Sequence, residues 1–255
     1  MRSGRHGNTE SVDNYLKAIL VLEESALEEG ALLGSERGVA APKSSAVAAR
    51  VTVKALAGEL GVAPASVTNM LQKLAGAAAP LVEYERHRGV GLSRAGRRRA
   101  LEVVRHHRLI ETFLYEVLDY PIDELHEEAE RLEHFISERF EERIAAKLGH
   151  PKTDPHGHAI PAMDGRIAAR KSMTLAEVAG AGTFVVESVS DRDARRLRQM
   201  KTQGVGPGAL IDVTRRDSGE GFRVRVGRGG KAFELTPEAA REVRVLKPAS
   251  KRERG

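Results

Sequence analysis

Residues 52–92 constrain this chain more than any other stretch. TVKALAGELGVAPASVTNMLQKLAG reads as a short helix ending near Gly61, a tight turn through Val62, Ala63 and Pro64, and a second helix from about Ala65. Two short helices joined so closely form a helix-turn-helix. LVEYERHRGVGLS follows, with Leu81, Val82 and Tyr84 suiting one strand, Arg86 to Gly89 a turn, and Val90 and Leu92 a returning strand, so the pair carries a wing. The start of the second helix in such a unit faces base edges. Asn69 and Gln72 suit adenine, Ser66 and Thr68 suit bases or phosphates, and Ala65 suits a thymine methyl. Lys73, Arg86, His87 and Arg88 suit phosphates, which position a protein without reading sequence. The competing reading is a winged helix used only for protein contacts. It is disfavoured by eight arginines against one acid, Glu102, between Arg86 and Arg108.

The rest of the chain divides around this unit. Before it, SVDNYLKAILVLEE spaces Val12, Tyr15, Leu16, Ile19, Leu20 and Leu22 as a helix, with Ser11 as its N-cap; residues 26–50 read as a long loop or insertion. After it, a long helix starts at Ser93 or Arg94, and another runs from near Asp123 to about Leu148. HPKTDPHGHAIPAMDGR then breaks the helix and reads as a linker crossing the surface. From about Ser172, short alternating runs such as GTFVVESVS, ALIDVTRR and FRVRV predict a small β-barrel. The expected fold is therefore α+β, mainly α: a DNA-binding domain over 1–104, a helical domain over 105–165 and a small β domain over 172–248.

Composition narrows the chemistry. The chain of 255 residues has no cysteine, so any metal must be held by nitrogen and oxygen; this suits a cytoplasmic protein. No stretch approaches the ~20 apolar residues of a membrane span. The excess of 41 Lys and Arg over 36 Asp and Glu is small, so the position of the charge tells more than its sum. In LHEEAERLEHFISERF, a single helix would place His126, Glu130, Glu133 and His134 within about one third of its circumference. His107 and Glu111, four apart on the preceding helix, supply a second pair. The plain alternative is a solvated face with Glu paired to Arg131 or Arg139, but apolar Leu125, Ala129, Leu132, Phe135 and Ile136 flank the candidates. Such a donor set favours Mn2+ or Fe2+ by hardness, with Zn2+, Co2+ and Ni2+ able to bind in vitro. No HExxH occurs, so metal-assisted hydrolysis lacks its usual helix. A metalloenzyme with an appended winged helix also needs a general base, and none stands out. A peptide-binding β module acting on the linker around Pro155 and Pro161 is a further alternative; Phe184, Phe222 and Phe233 suit its core better than a binding groove.

DNYLKAILVLEE, VAPASVTNMLQKL with YERHRGVGLSRAG, HHRLIE, HEEAERLEH and DPHGHAIP, in this order over about residues 11–165, resemble the diphtheria toxin repressor and manganese transport regulator family. The resemblance implies a winged helix, a helical metal and dimerisation domain, and an SH3-like barrel. It implies a non-enzymatic repressor controlling metal homeostasis, binding double-stranded operator DNA as a homodimer when metal is bound. Carried over by position, Glu130, Glu133 and His134, with Asn14 from the first helix, match the primary site. His107, Glu111 and His126, completed by Asp191 and Asp193, match the ancillary site. Glu130 tilts the choice toward manganese. Two positions depart from the pattern: Asn14 stands where manganese members carry aspartate, and Lys17 where they carry a glutamate. Asp13 is the alternative ligand beside Asn14, and the cation at Lys17 favours separate primary and ancillary ions over a fused pair.

Overall fold

The computed structural model describes residues 3–36, 50–167, 172–215 and 221–248, which form two compact units, Met1–Val104 and Arg105–Gly255. In the first unit, α1 (Ser3–Glu36) packs on α2 (Val53–Leu60) and on the wing. Its buried stripe is Val12, Tyr15, Leu16, Ile19 and Leu20, as the spacing predicts. Its ends differ from expectation. Ser11 lies inside the helix instead of capping it, and the helix continues through 26–36, where a loop was expected; residues 37–49 lie outside the described residues. The Ala, Leu and Glu of this extension are strong helix formers, and propagating an existing helix outweighs the cost of about 1 kcal/mol for each of Gly30 and Gly34.

Capping chemistry sets the helix-turn-helix. Thr52 accepts a hydrogen bond from the Ala55 amide and so starts α2, while Gly61, at φ 64°, ends it in a left-handed conformation that glycine adopts freely. Pro64 opens α3 (Pro64–Ala75) at its first position, where a missing N–H costs nothing. The wing pairs β1 (Val82–Glu85) with β2 (Gly89–Leu92) antiparallel, turning at His87 with φ 67°. Glu23, fully buried on α1, accepts from the Leu92 amide at 2.8 Å and from Arg97 on α4 (Arg94–Leu118), pinning the returning strand to the first helix.

The second unit holds both the helical and the β region, and the two share apolar packing. Ile110 and Leu114 of α4, with Ile122, Leu125 and Ala129, share one apolar core with Leu175, Phe184, Val186, Ile211, Val224 and Val245 of the β region. That region is a six-stranded antiparallel sheet in the order β3-β8-β4-β5-β6-β7. Its strands are β3 (Met173–Thr174), β4 (Gly182–Val189), β5 (Leu210–Arg215), β6 (Phe222–Val226), β7 (Ala232–Leu235) and β8 (Val243–Leu246), with α7 (Ala194–Thr202) following β4 and α8 (Pro237–Arg241) preceding β8.

The expected single helix over 123–148 is two: α5 (Leu125–Leu132) and α6 (Glu138–Lys147). Ser137, in extended backbone, accepts from the Phe140 amide and starts α6 afresh. The break falls just after Glu133, which ends α5 in helical conformation with its amide donating to the Ala129 carbonyl, and leaves His134 on the turn that follows.

The expected surface linker is instead packed inward: Asp154 and His156 are buried, and the Val189 amide donates to the His156 carbonyl. Gly157 permits this. Its φ is 91°, and a Cβ there would stand 2.1 Å from the Glu187 carbonyl oxygen. Gly157→Ala should therefore lower stability by about 2 kcal/mol or more, seen as an earlier urea midpoint; an unchanged midpoint would show that the loop does not depend on this approach.

Candidate metal centre and nucleic-acid interface

On the first unit, α3 exposes Ala65, Ser66, Asn69, Gln72 and Lys73, with Val67, Leu71 and Leu74 turned into the core. Thr68 is half-buried and donates its hydroxyl to the Pro64 carbonyl, so its oxygen remains as an acceptor. Arg86 and Arg88 are exposed on the wing. Thr68 and Gln72 line one wall, and Tyr84, Arg86, His87 and Arg88 another, of an open cleft of about 530 Å3. Glu85 is ion-paired to both Arg50 and Arg88, which moderates the positive charge of the wing tip.

The second unit gathers His107 and Glu111 from α4, His126 from α5 and Asp191 from the segment after β4, with donor atoms all within 4.8 Å of one another. Helical spacing places His107 Nε2 3.2 Å from Glu111 Oε1. His126 Nδ1 lies 4.0 Å from that same oxygen and 3.4 Å from Asp191 Oδ2. Asp193 is not among the gathered donors: it caps α7, accepting from the Arg195 and Arg196 amides and from Arg196 Nε.

Asp154, His156 and His158 form an adjoining donor set that the sequence reading missed. Pro and Gly marked their segment as a linker, whereas the alternation of Asp, His and His at every second residue was the signal. His156 Nε2 faces the Ile122 carbonyl, and Nδ1 stands 3.6 Å from Glu111 Oε2. Asp154 Oδ2 lies 3.3 Å from His158 Nδ1 and 3.7 Å from Arg108 Nε.

Burial makes these charges depend on each other. It pushes the Glu111 carboxyl up, but His107 and His156 outweigh it and hold the group at about 2. Burial likewise disfavours charged His156, yet Glu111 raises it to about 9. Asp191 is held well below the usual carboxylate range because His126, His158 and His156 overcome its burial. Glu111 Oε2, His126 Nδ1, Asp154 Oδ2 and His156 Nδ1 are nevertheless buried without a well-formed hydrogen bond. Unsatisfied buried nitrogens and carboxylate oxygens, all of metal-binding type, fit a divalent cation.

The residues assigned to the primary site are disposed differently. Glu133 is buried; its Oε2 is hydrogen-bonded to His107 Nδ1, and its Oε1 lies 3.5 Å from His134 Nε2. Glu130 is half exposed, 3.8 Å from His126 Nε2. Asn14 is half-buried on α1 in the first unit, and the neighbouring Asp13 accepts from Arg99 Nε at 2.6 Å. A support not foreseen from sequence is His106, whose Nδ1 faces the Glu133 carbonyl at 3.2 Å and whose Nε2 lies 2.9 Å from Glu141. Arg105 bonds both Glu141 and the Pro161 carbonyl.

Comparison with known proteins follows the same division. Residues 44–90 match the family model of the iron dependent repressor N-terminal DNA binding domain, 93–162 that of its metal binding and dimerisation domain, and 173–247 the FeoA domain. The iron-dependent repressor IdeR of Mycobacterium leprae is 33% identical over 180 residues, covering 66% of this chain and 77% of that protein. The diphtheria toxin repressor of Corynebacterium glutamicum is 28% identical over 178 residues, covering 66% and 76%. A solved manganese-dependent transcriptional repressor in complex with manganese superposes with a TM-score of 0.77 at 33% identity, covering 93% of this chain and all of that one. ScaR with bound Zn2+ gives 0.71 at 30% identity, covering 93% and 99%. With its helix-turn-helix and wing in the first matched domain, His107, Glu111 and His126 in the second, and its SH3-like sheet and Asp191 in the third, this chain belongs to the iron-dependent repressor family.

Proposed function

We propose that this protein is a metal-activated transcriptional repressor that binds double-stranded operator DNA as a homodimer in the cytoplasm, without enzymatic activity of its own. The observation that carries this reading is the union, in one chain, of an exposed reading helix and arginine-bearing wing with a buried anionic donor cluster. Glu111, Asp154 and Asp191 bring negative charge to that cluster, Glu133 adds more beside His107, and Arg108 offsets only part of it. Divalent cations would neutralise the excess. Without them, protons on histidines such as His156 take that part.

His107, Glu111, His126 and Asp191 are the ancillary ligands in this reading. Glu133 and His134 belong to the primary site, for which Glu130 and Asn14 remain candidates by resemblance. The nitrogen and oxygen donors, and a glutamate at 130, favour Mn2+, with Fe2+ next. An ion bound by these residues supplies fixed charge that joins separate elements, and its effect on DNA binding follows if the operator-competent state binds it better. The half-exposed or exposed Leu118, Leu132, Phe135 and Phe140, on or beside α4, α5 and α6, are the apolar surface offered to a second copy.

Three outcomes are expected. Metal-free protein titrated onto its own upstream DNA at fixed salt should bind tightly with Mn2+ or Fe2+ and weakly without metal; equal affinity under both conditions would reject metal activation. Asn69→Ala should cost about 1–3 kcal/mol and relax specificity at one base position, while Arg86→Ala should weaken all sequences alike and reduce the salt slope by about 1; mobility-shift assays across salt and operator variants separate the two. Phe140→Glu should shift the sedimentation coefficient toward that of a monomer, and an unaltered dimer would place the interface elsewhere.

A further inference from the structure

We infer that His107 is shared by the two metal sites and couples their occupancy, an inference that rests on the metal-binding reading above. A single imidazole presents its two nitrogens in fixed, divergent directions. Here Nε2 faces Glu111 in the His107, Glu111, His126 and Asp191 cluster, and Nδ1 is bonded to Glu133 Oε2. The side chains of Glu111 and Glu133 are fully buried and that of His107 nearly so, so water is a poor substitute for either contact.

The chemistry of the ring makes the link directional. With Nε2 given to an ion, the ring proton of His107 would sit on Nδ1 and be donated to Glu133 Oε2. This reserves one oxygen of Glu133 and leaves Oε1, the one beside His134 Nε2, for a primary ion. The Glu133 carboxylate in turn makes the imidazole a stronger donor toward the ancillary ion. His106, facing the Glu133 carbonyl, holds the backbone of that residue in place. Glu133 is thus a positioning residue for a site whose ligand set excludes it.

The experiment is a Mn2+ titration of the full-length protein without DNA, with free Mn2+ followed by its EPR signal. Glu133→Gln and His134→Ala both damage the primary site, but only the first removes the carboxylate bonded to His107. Ancillary affinity should fall about tenfold or more in Glu133→Gln, in the range usual for loss of a partner to a ligating histidine, and stay near wild type in His134→Ala. Equal ancillary affinity in the two variants overturns the inference. By reciprocity, Asp191→Asn, which leaves Glu133 untouched, should weaken the primary site; this arm decides the matter if Glu133→Gln does not fold, and unchanged primary affinity there also overturns it. A wild-type protein that takes up no ion would reject the metal-binding reading itself, a result distinct from normal uptake without coupling.

Discussion

Glu111 has no exposed surface, and a carboxylate so placed must find compensation within the protein. It finds histidines on two sides: His107, one helical turn earlier on α4, and His156, delivered by a loop that Gly157 seats against β4. Around this ion network, α4, α5, the 149–167 loop and the segment after β4 are brought into register. The apolar core shared by helices and sheet gives the unit its bulk cohesion, but it does not specify which polar atoms meet. The network does, because a one-residue slip would bury a charge without its partner.

The helix expected over 123–148 is interrupted beside this network, between Glu133 and Ser137. A continuous helix would carry the residues after Glu133 on around its circumference. Glu133, which ends α5 in helical conformation, lies with its side chain beside His107 and its carbonyl facing His106, and Ser137 caps the helix that follows the turn. Arg105 and Glu141 extend this support to α6 and to the Pro161 carbonyl. Buried polar networks of this kind are stable only when nearly all members are satisfied, and the unsatisfied atoms on Glu111, His126, Asp154 and His156 are of types that ligate an ion.

In the DNA-reading unit the forces are local. Thr52, Gly61 and Pro64 place two helix ends within a few residues, and the wing follows from strand alternation and a tight turn. One tertiary interaction matters most there: the buried Glu23 carboxylate, shared between the Leu92 amide and Arg97. Burial raises its pKa despite both partners, so the interaction serves placement more than net stability.

Much of this was legible in the amino-acid sequence. The helix-turn-helix, the wing, the exposed positions on α3, the short strands and the pairing of His107 with Glu111 follow from periodicity, caps and i,i+4 spacing, all of which act within a few residues. The extension of α1 past Ser25 was not legible, because summed helix propensity competes there with glycines of opposite preference. Tertiary structure alone decided that Asp191 joins His107, Glu111 and His126 while Asp193 caps a helix, that Asp154 and His156 are buried, and that Glu133 turns toward His107. These depend on which distant segments share a core and on how buried charges are neutralised, and such long-range terms leave no periodic trace along the chain.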